Sequence, residues 1–231
     1  MSTVVITGAN RGLGLELARA FAGRGDTVIA GCRDPNSATE LRAVTPAVLA
    51  VDTGDSASID EFVAAIGDSA VDVLINNAGI ARNPAAGDDE RDVLAQPVEH
   101  FIGQMQVNAV GPMLLVRGLL PHLRRSSNGR VINVSSQVGS MEVAKTIGRD
   151  VGYAASKAAL NMITVKLAAR LSDDGIIVVA LHPGYLRTAM GGPGAAMEAD
   201  DAARQIADLV GSLTPEQTGQ FLRWDGTIHP W

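Results

Sequence analysis

Tyr153 and Lys157 stand four residues apart in the stretch VGYAASKAAL, residues 151–160, and Tyr153 is one of only 2 tyrosines in the chain. Residues at i and i+4 share a helix face, so on a helix starting near Gly152 the phenol and the ammonium lie side by side. An unperturbed phenol titrates near ~10, and an adjacent cation favours the phenolate and lowers that value. Such a group can hand a proton to an oxygen that is gaining negative charge. By spacing alone the commoner reading is a surface pair with packed stems and hydrated ends. The rest of the chain has to decide between them.

A second stretch with chemical potential is TGANRGLG, residues 7–14, which follows the first apolar run and opens the first helix. Gly8, Gly12 and Gly14 permit a tight turn and a close backbone approach to a pyrophosphate, whose charge a helix N-terminus favours. The spacing is G-x-x-x-G-x-G rather than G-x-G-x-x-G, and by itself it also suits a plain strand-to-helix turn. The next strand ends AGCRDP. Dinucleotide folds that select NAD place an acid there for the ribose 2′-OH, whereas a nearby Arg accommodates the 2′-phosphate of NADP. Here Cys32 holds the acid position, Arg33 follows it, and Arg11 lies inside the glycine loop. Two cations flanking one phosphate position point to NADP (NADPH). Cys32 reads as a small buried filler.

These groups need a scaffold. Apolar runs TVVIT, TVIAGC, AVLAV, VDVLIN, RVINVS, IIVVAL and QFLRW alternate with helical stretches that start near Gly12, Ala57, Pro97, Gly152 and Ala199. That alternation predicts an α/β fold, a doubly wound Rossmann-type parallel sheet of about seven strands with helices on both faces. Ser58 and Glu61 have capping-box spacing, and Pro97 suits a first helical turn. No repeat, charge block or linker divides the 231 residues, of which 46% are hydrophobic, so one domain over 1–231 is expected. The loops at 137–151 and 185–199 follow strand carboxyl ends, where open α/β sheets bind ligands. Within the second, MGGPGAAM has the glycines and small side chains of a closing lid.

A net charge of −6 supplies no field for nucleic acid or an anionic membrane. No apolar run approaches the ~20 residues of a spanning helix. The opening residues carry no basic segment or cleavage site, so no export leader is expected. The single cysteine gives no intramolecular disulfide, and a reduced cytoplasmic setting follows. His100, His122, His182 and His229 lack a compact ligand spacing, so no metal site is read. His182, ahead of a Pro–Gly turn, reads as structural.

TGANRGLG, NNAG at 76–79, VN at 107–108, SS at 135–136, YAASK at 153–157 and HPG at 182–184 occur in one order across the chain. Together they resemble the short-chain dehydrogenase/reductase family, and the ending PGYLRTAMGGPGAAM…TGQFLRWDGTIHPW is similar to the subgroup of C-factor and the sniffer-type carbonyl reductases. The resemblance implies a catalytic set of Asn108, Ser136, Tyr153 and Lys157. In that set Tyr153 is the acid, Ser136 binds the same oxygen, and Lys157 binds the nicotinamide ribose. Asn108 is implied to hold a proton-relaying water. The cofactor site it implies comprises Gly8, Asn10, Arg11, Gly12, Leu13, Gly14, Arg33, Asp52, Thr53, Asn77, Ala78 and Gly79, with Tyr153, Lys157, Pro183, Gly184, Leu186 and Thr188. Val138, Met141, Tyr185 and Met190 are expected pocket walls. The loop between Ser136 and Tyr153 is longer than in the family's shortest members, and its Met141, Val143 and Lys145 are expected to reshape the pocket.

The function implied is NADPH-dependent hydride transfer between cofactor and a small-molecule carbonyl or alcohol. Two rivals stand beside it: a cofactor-binding signalling or sensor protein of the C-factor type, and an NAD-dependent alcohol dehydrogenase. A homo-oligomer, dimer or tetramer, is implied as well, with the long helices near Pro97 and Gly152 as contacts.

Overall fold

The computed structural model describes residues 1–81 and 92–231. Its strands are β1 (Thr3–Thr7), β2 (Thr27–Cys32), β3 (Val48–Ala50), β4 (Val73–Asn76), β5 (Arg130–Val134), β6 (Ile177–His182), β7 (Leu186–Arg187), β8 (Met197–Glu198) and β9 (Phe221–Arg223). Seven of them form one parallel sheet in the order β3-β2-β1-β4-β5-β6-β9, while β7 and β8 pair separately. The helices are α1 (Gly12–Gly23), α2 (Thr39–Val44), α3 (Ser56–Ile66), α4 (Val98–Met105), α5 (Gly111–Leu123), α6 (Met141–Ala144), α7 (Val151–Leu171) and α8 (Ala199–Ser212).

Side-chain alternation explains why the strands read as unbroken apolar runs. Val4 and Ile6 of β1 face a core with Leu17 and Phe21 of α1, Leu41 of α2 and Ile206 of α8. Val5 faces the opposite core, with Ile59 and Phe62 of α3, Leu115 and Leu119 of α5 and Leu171 of α7. A strand buried on both faces has no polar side to show. The order reverses between β1 and β4, so the loops leaving those two strands part there and open a crevice at the carboxyl edge.

Local signals place some boundaries differently from the expectation. Asp55, not Ser58, caps α3: its backbone is extended and its side chain accepts from the Ala57 N–H at 2.9 Å. Ser58 lies inside the helix, and its Oγ accepts from the Asp52 N–H at 2.9 Å. Pro97 precedes α4 with an extended ψ of 137° and so is not its first helical residue. The short helix α2 was absent from the expectation. From α4 the chain continues through a π-helical turn, Gln106–Val110, directly into α5, so one rod runs where a single helix start was read.

Beyond β9 the chain doubles back. The Arg223 N–H donates to the Thr227 carbonyl at 2.8 Å and the His229 N–H to the Phe221 carbonyl at 2.7 Å, which covers the sheet edge. A column of rings results: Trp224 edge-on to His182 at 5.9 Å, His182 stacked on His229 at 5.1 Å, then Phe221 and Trp231. Burial, with the charges of His229 and Arg223, lowers the His182 pKa to about 4. The unfolded imidazole titrates near ~6.5. Between those values the unfolded chain binds the extra proton, so His182 removes stability as pH falls from about 6.5 towards 4. His182→Phe keeps a ring without titrating. Its urea midpoint is expected to fall less steeply than wild type between pH 6.5 and 4.5, and parallel curves would show that other groups govern the acid limb.

Among the described residues no helix is long and apolar enough to cross a membrane, and no cluster of three or more His, Cys, Asp or Glu could hold a metal.

Candidate active site

The first turn of α7 carries Tyr153, and the preceding loop sets its direction. Asp150 takes a left-handed conformation, φ 59°, immediately before the helix. The Gly152 N–H donates to Gln96 Oε1 at 2.8 Å, and Gln96 Nε2 donates to Gln104 Oε1 at 2.8 Å, so two amide side chains hold the helix start. One turn on, Lys157 is buried, its Nζ 5.8 Å from the Tyr153 ring centroid and donating to the Val134 carbonyl at 2.8 Å. A methyl on Gly139 would stand 2.8 Å from the Lys157 carbonyl carbon, so the loop after β5 presses directly on the helix here.

The two serines of that loop differ. Ser135 is buried and its Oγ donates to Asn161 Oδ1 at 2.6 Å. Ser136 is half-buried and its side chain hydrogen-bonds Tyr153. The structure thus brings Ser136, Tyr153 and Lys157 together.

Their electrostatics run against one expectation. Burial raises the Tyr153 pKa, and the Ser136 hydrogen bond only partly opposes it. Burial also lowers the Lys157 pKa, to about 8. Two groups withdrawn from water together each resist ionisation. The ammonium is moreover engaged with a carbonyl, so in this structure it does not pull the phenol down.

Asn108 sits in the π turn, a geometry that accommodates one extra residue in a helix and recurs at functional sites. Its Nδ2 donates to the Ile80 carbonyl at 2.7 Å and Ser156 Oγ at 3.0 Å, while Oδ1 accepts from the Ile80 N–H at 2.8 Å. Ser156 Oγ donates in turn to the Tyr153 carbonyl at 2.7 Å. The side chain implied to hold a water is therefore already a brace between the loop after β4 and α7. Its Oδ1 would lie 3.2 Å, and Lys157 Nζ 3.6 Å, from a methyl on Gly79.

At the sheet's reversal the glycine loop and the 76–79 segment are laced together. Asn77 Nδ2 donates to the Thr7 and Gly8 carbonyls at 2.9 and 3.1 Å, and Thr7 Oγ1 accepts from the Asn77 and Ala78 N–H groups. A methyl on Gly14 would fall 2.2 Å from the Gly8 oxygen, a clash that reserves the position for glycine. No side chain caps α1, so its first N–H groups face outward without a side-chain acceptor. A methyl on Gly12 would lie 3.4 Å from Thr188 Cγ2, which puts the 185–199 loop across from the glycine turn. An uncapped helix start inside a glycine cradle fits a pyrophosphate.

The remaining implied cofactor residues divide by exposure. Asn10, Arg11, Arg33 and Asp52 are exposed, and neither arginine has an ion-pair partner among the described residues. The side chains of Leu13, Thr53 and Leu186 are buried, which leaves them only their main chains to offer. Pro183 and Gly184 are half-buried directly after β6. Cys32 is 2% exposed and packs in the core, with burial pushing its thiol pKa up.

A cavity of about 280 Å³ opens at the carboxyl edge between β6, β9 and the 185–199 loop. Of the four expected walls only Tyr185 lines it. Met141 and Met190 are 76% and 52% exposed and Val138 is half-buried, and none of the three lines this cavity. Gln137, His182, Met197, Arg223 and Trp224 line it and were missed as pocket residues. The segment expected to be a lid is tied at its base, where β7 pairs with β8, Arg187 pairs with Glu198, and Arg187 Nη2 donates to the Ala195 carbonyl at 3.1 Å.

Residues 2–199 match the family model described as short chain dehydrogenase. The chain is 39% identical over 162 residues to C-signal of Myxococcus xanthus, covering 70% of this chain and 93% of that protein. Among solved structures, the carbonyl reductase Sniffer of D. melanogaster is 31% identical with a TM-score of 0.90, each chain covered in full. The NADPH-bound carbonyl reductase from chicken fatty liver is also 31% identical with a TM-score of 0.90, over 100% of this chain and 99% of that one.

Proposed function

Since the chain belongs to the short-chain dehydrogenase family, in which it is an oxidoreductase, we propose that it uses NADPH to interconvert a carbonyl compound and its alcohol. The observation that carries this reading is the contact of Ser136 with Tyr153 over a buried Lys157, at the mouth of the crevice that the glycine loop enters. The nicotinamide, when bound, supplies or accepts the hydride. The glycine loop and the α1 N-terminus hold the pyrophosphate, Arg11 and Arg33 the 2′-phosphate, and Pro183, Gly184 and Thr188 the nicotinamide end.

The chain's own groups handle the oxygen. Ser136 donates a hydrogen bond to it and stabilises the charge that develops there. Tyr153, kept protonated by its burial, delivers a proton to the same atom. Lys157 fixes the phenol's surroundings and binds the nicotinamide ribose through an ammonium that is largely charged at neutral pH. Both amide hydrogens of Asn108 are engaged, so the part assigned to this residue is to brace the helix that carries Tyr153. Exposed Val98 and Ile102 of α4 and Met162 of α7 support a homo-oligomer contact on these helices.

Absorbance of NADPH followed against aldehydes, ketones, diketones and quinones tests this reading. Turnover of at least one class is expected. The likeness to C-signal supports a second reading, cofactor binding in a signalling role. A blank across the panel with NADPH binding intact would favour it.

A further inference from the structure

The cavity between β6, β9 and the 185–199 loop adjoins the proposed reacting centre on two sides. Gln137 follows Ser136 in the chain and Tyr185 follows Gly184. A methyl on Gly184 would meet Trp224 Cε3 at 3.3 Å and Met197 Sδ at 3.5 Å, so the cavity wall stands directly against the Pro183–Gly184 turn.

Its lining is of two kinds. Tyr185, Met197 and Trp224 offer apolar and aromatic surface, while Gln137, His182 and Arg223 offer polar groups, and no lining residue is acidic. Arg223 is exposed on the last residue of β9 and has no ion-pair partner among the described residues. Asp225, two residues on, accepts from the Thr227 N–H at 3.0 Å and Oγ1 at 2.6 Å, and the Arg223 charge also helps to hold its carboxyl below the usual range, so a carboxylate stands near Arg223 without pairing with it. His182 lies on the cavity wall, but its unpartnered Nδ1 is itself buried, so the residue offers the cavity ring surface rather than that nitrogen. Burial, helped by the charge of Arg223, holds both His182 and His229 neutral.

We propose that this cavity receives the distal arm of the substrate, and that the arm is an apolar or aromatic stem ending in a carboxylate bound by Arg223. The proposal rests on the carbonyl-reducing reading of the adjoining site and names its substrate class, an oxo acid. A guanidinium offers a carboxylate two parallel hydrogen bonds. The amide of Gln137 supplies a further polar contact, and Trp224 and Tyr185 flank the stem.

Binding can be read separately from turnover. Calorimetric titration of the NADP-saturated protein with 4-phenylbutanoate and with 4-phenylbutanamide should give a dissociation constant at least roughly tenfold lower for the carboxylate, the scale of a charge-assisted pair. Arg223→Gln should erase that difference and Arg223→Lys should keep part of it, with far-UV circular dichroism confirming that both variants fold. Equal constants in the wild type, no binding of either probe, or a preference that survives Arg223→Gln would overturn the proposal. For turnover, the kcat/KM ratio of 4-acetylbenzoate to its methyl ester should favour the acid and collapse at least roughly tenfold in Arg223→Gln. Equal reduction of acid and ester would sink the subsite while leaving the reductase reading intact. A carboxylate preference in binding without any turnover would leave the subsite and remove the reductase reading.

Discussion

Replacing Tyr153 by Phe is expected to lower kcat by the ~10²–10⁴ attributed to general acid catalysis while leaving NADPH binding in place. The exchange deletes one hydroxyl and keeps the ring beside Lys157, so packing is preserved. Ser136 then loses its phenolic partner, and the proposed proton donor is gone. Burial holds the Tyr153 pKa above its ordinary value, so the acid stays loaded at neutral pH before cofactor binds. Steady-state rates with NADPH deuterated at the transferred position would show that chemistry limits turnover. Retention of more than half of wild-type kcat under that condition would remove Tyr153 from the acid's role.

The double variant Arg11→Ala, Arg33→Ala is expected to weaken NADPH by roughly two to four orders of magnitude, since hydrogen bonds to charged groups contribute about 1.5–3 kcal/mol each and ~1.4 kcal/mol is tenfold. The two lie on different elements, one ahead of α1 and one after β2, but would share one phosphate as partner, so their effects couple and the two single variants measure that coupling. NADH lacks the 2′-phosphate and should be affected far less. Fluorescence titration of both cofactors against both proteins checks this, and an unchanged NADPH preference would make the arginines plain surface charges. A companion exchange, Cys32→Asp with Arg33→Ala, suits an acid position read from sequence. The fold changes that expectation: Cys32 is packed in the core, so a carboxylate there must be buried or must displace the strand end. A loss of stability should accompany any gain of NADH preference.

What could be read from sequence was what acts locally. Apolar runs betray strands buried on both faces, a glycine loop between strand and helix betrays the crevice, and an i, i+4 pair betrays a shared helix face. Ser136 beside Tyr153 came from family likeness, and its contact has a physical basis in Ser135's bond to Asn161, which leaves its neighbour free to face the phenol. Other features depend on distant segments meeting. His182 reads as structural in sequence, and it also becomes a cavity wall once Arg223 at the end of β9 and Trp224 just beyond it arrive and the tail folds back. The direction of the Tyr153 shift was unreadable for the same reason, since desolvation is a property of everything packed around a group. The cap of α3 was legible in principle, because Asp55 is itself a good capping residue, but Ser58 and Glu61 offered a competing pattern.

The π turn between α4 and α5 acts as a phase adjuster. Each α-helical residue advances about 100° around the axis, so one residue accommodated at 106–110 rotates everything after it relative to everything before. A single rod can then serve two partners that an unbroken helix could not satisfy at once: α4 packs on α7, and α5 packs on α3. Deleting one residue here would repair the helix as a helix and misalign the molecule, turning either Asn108 off Ile80 or Leu115 and Leu119 out of the core. Chain length in this turn is therefore constrained as well as the identity of Asn108, and tolerance to substitution at its other positions would say little about tolerance to a gap.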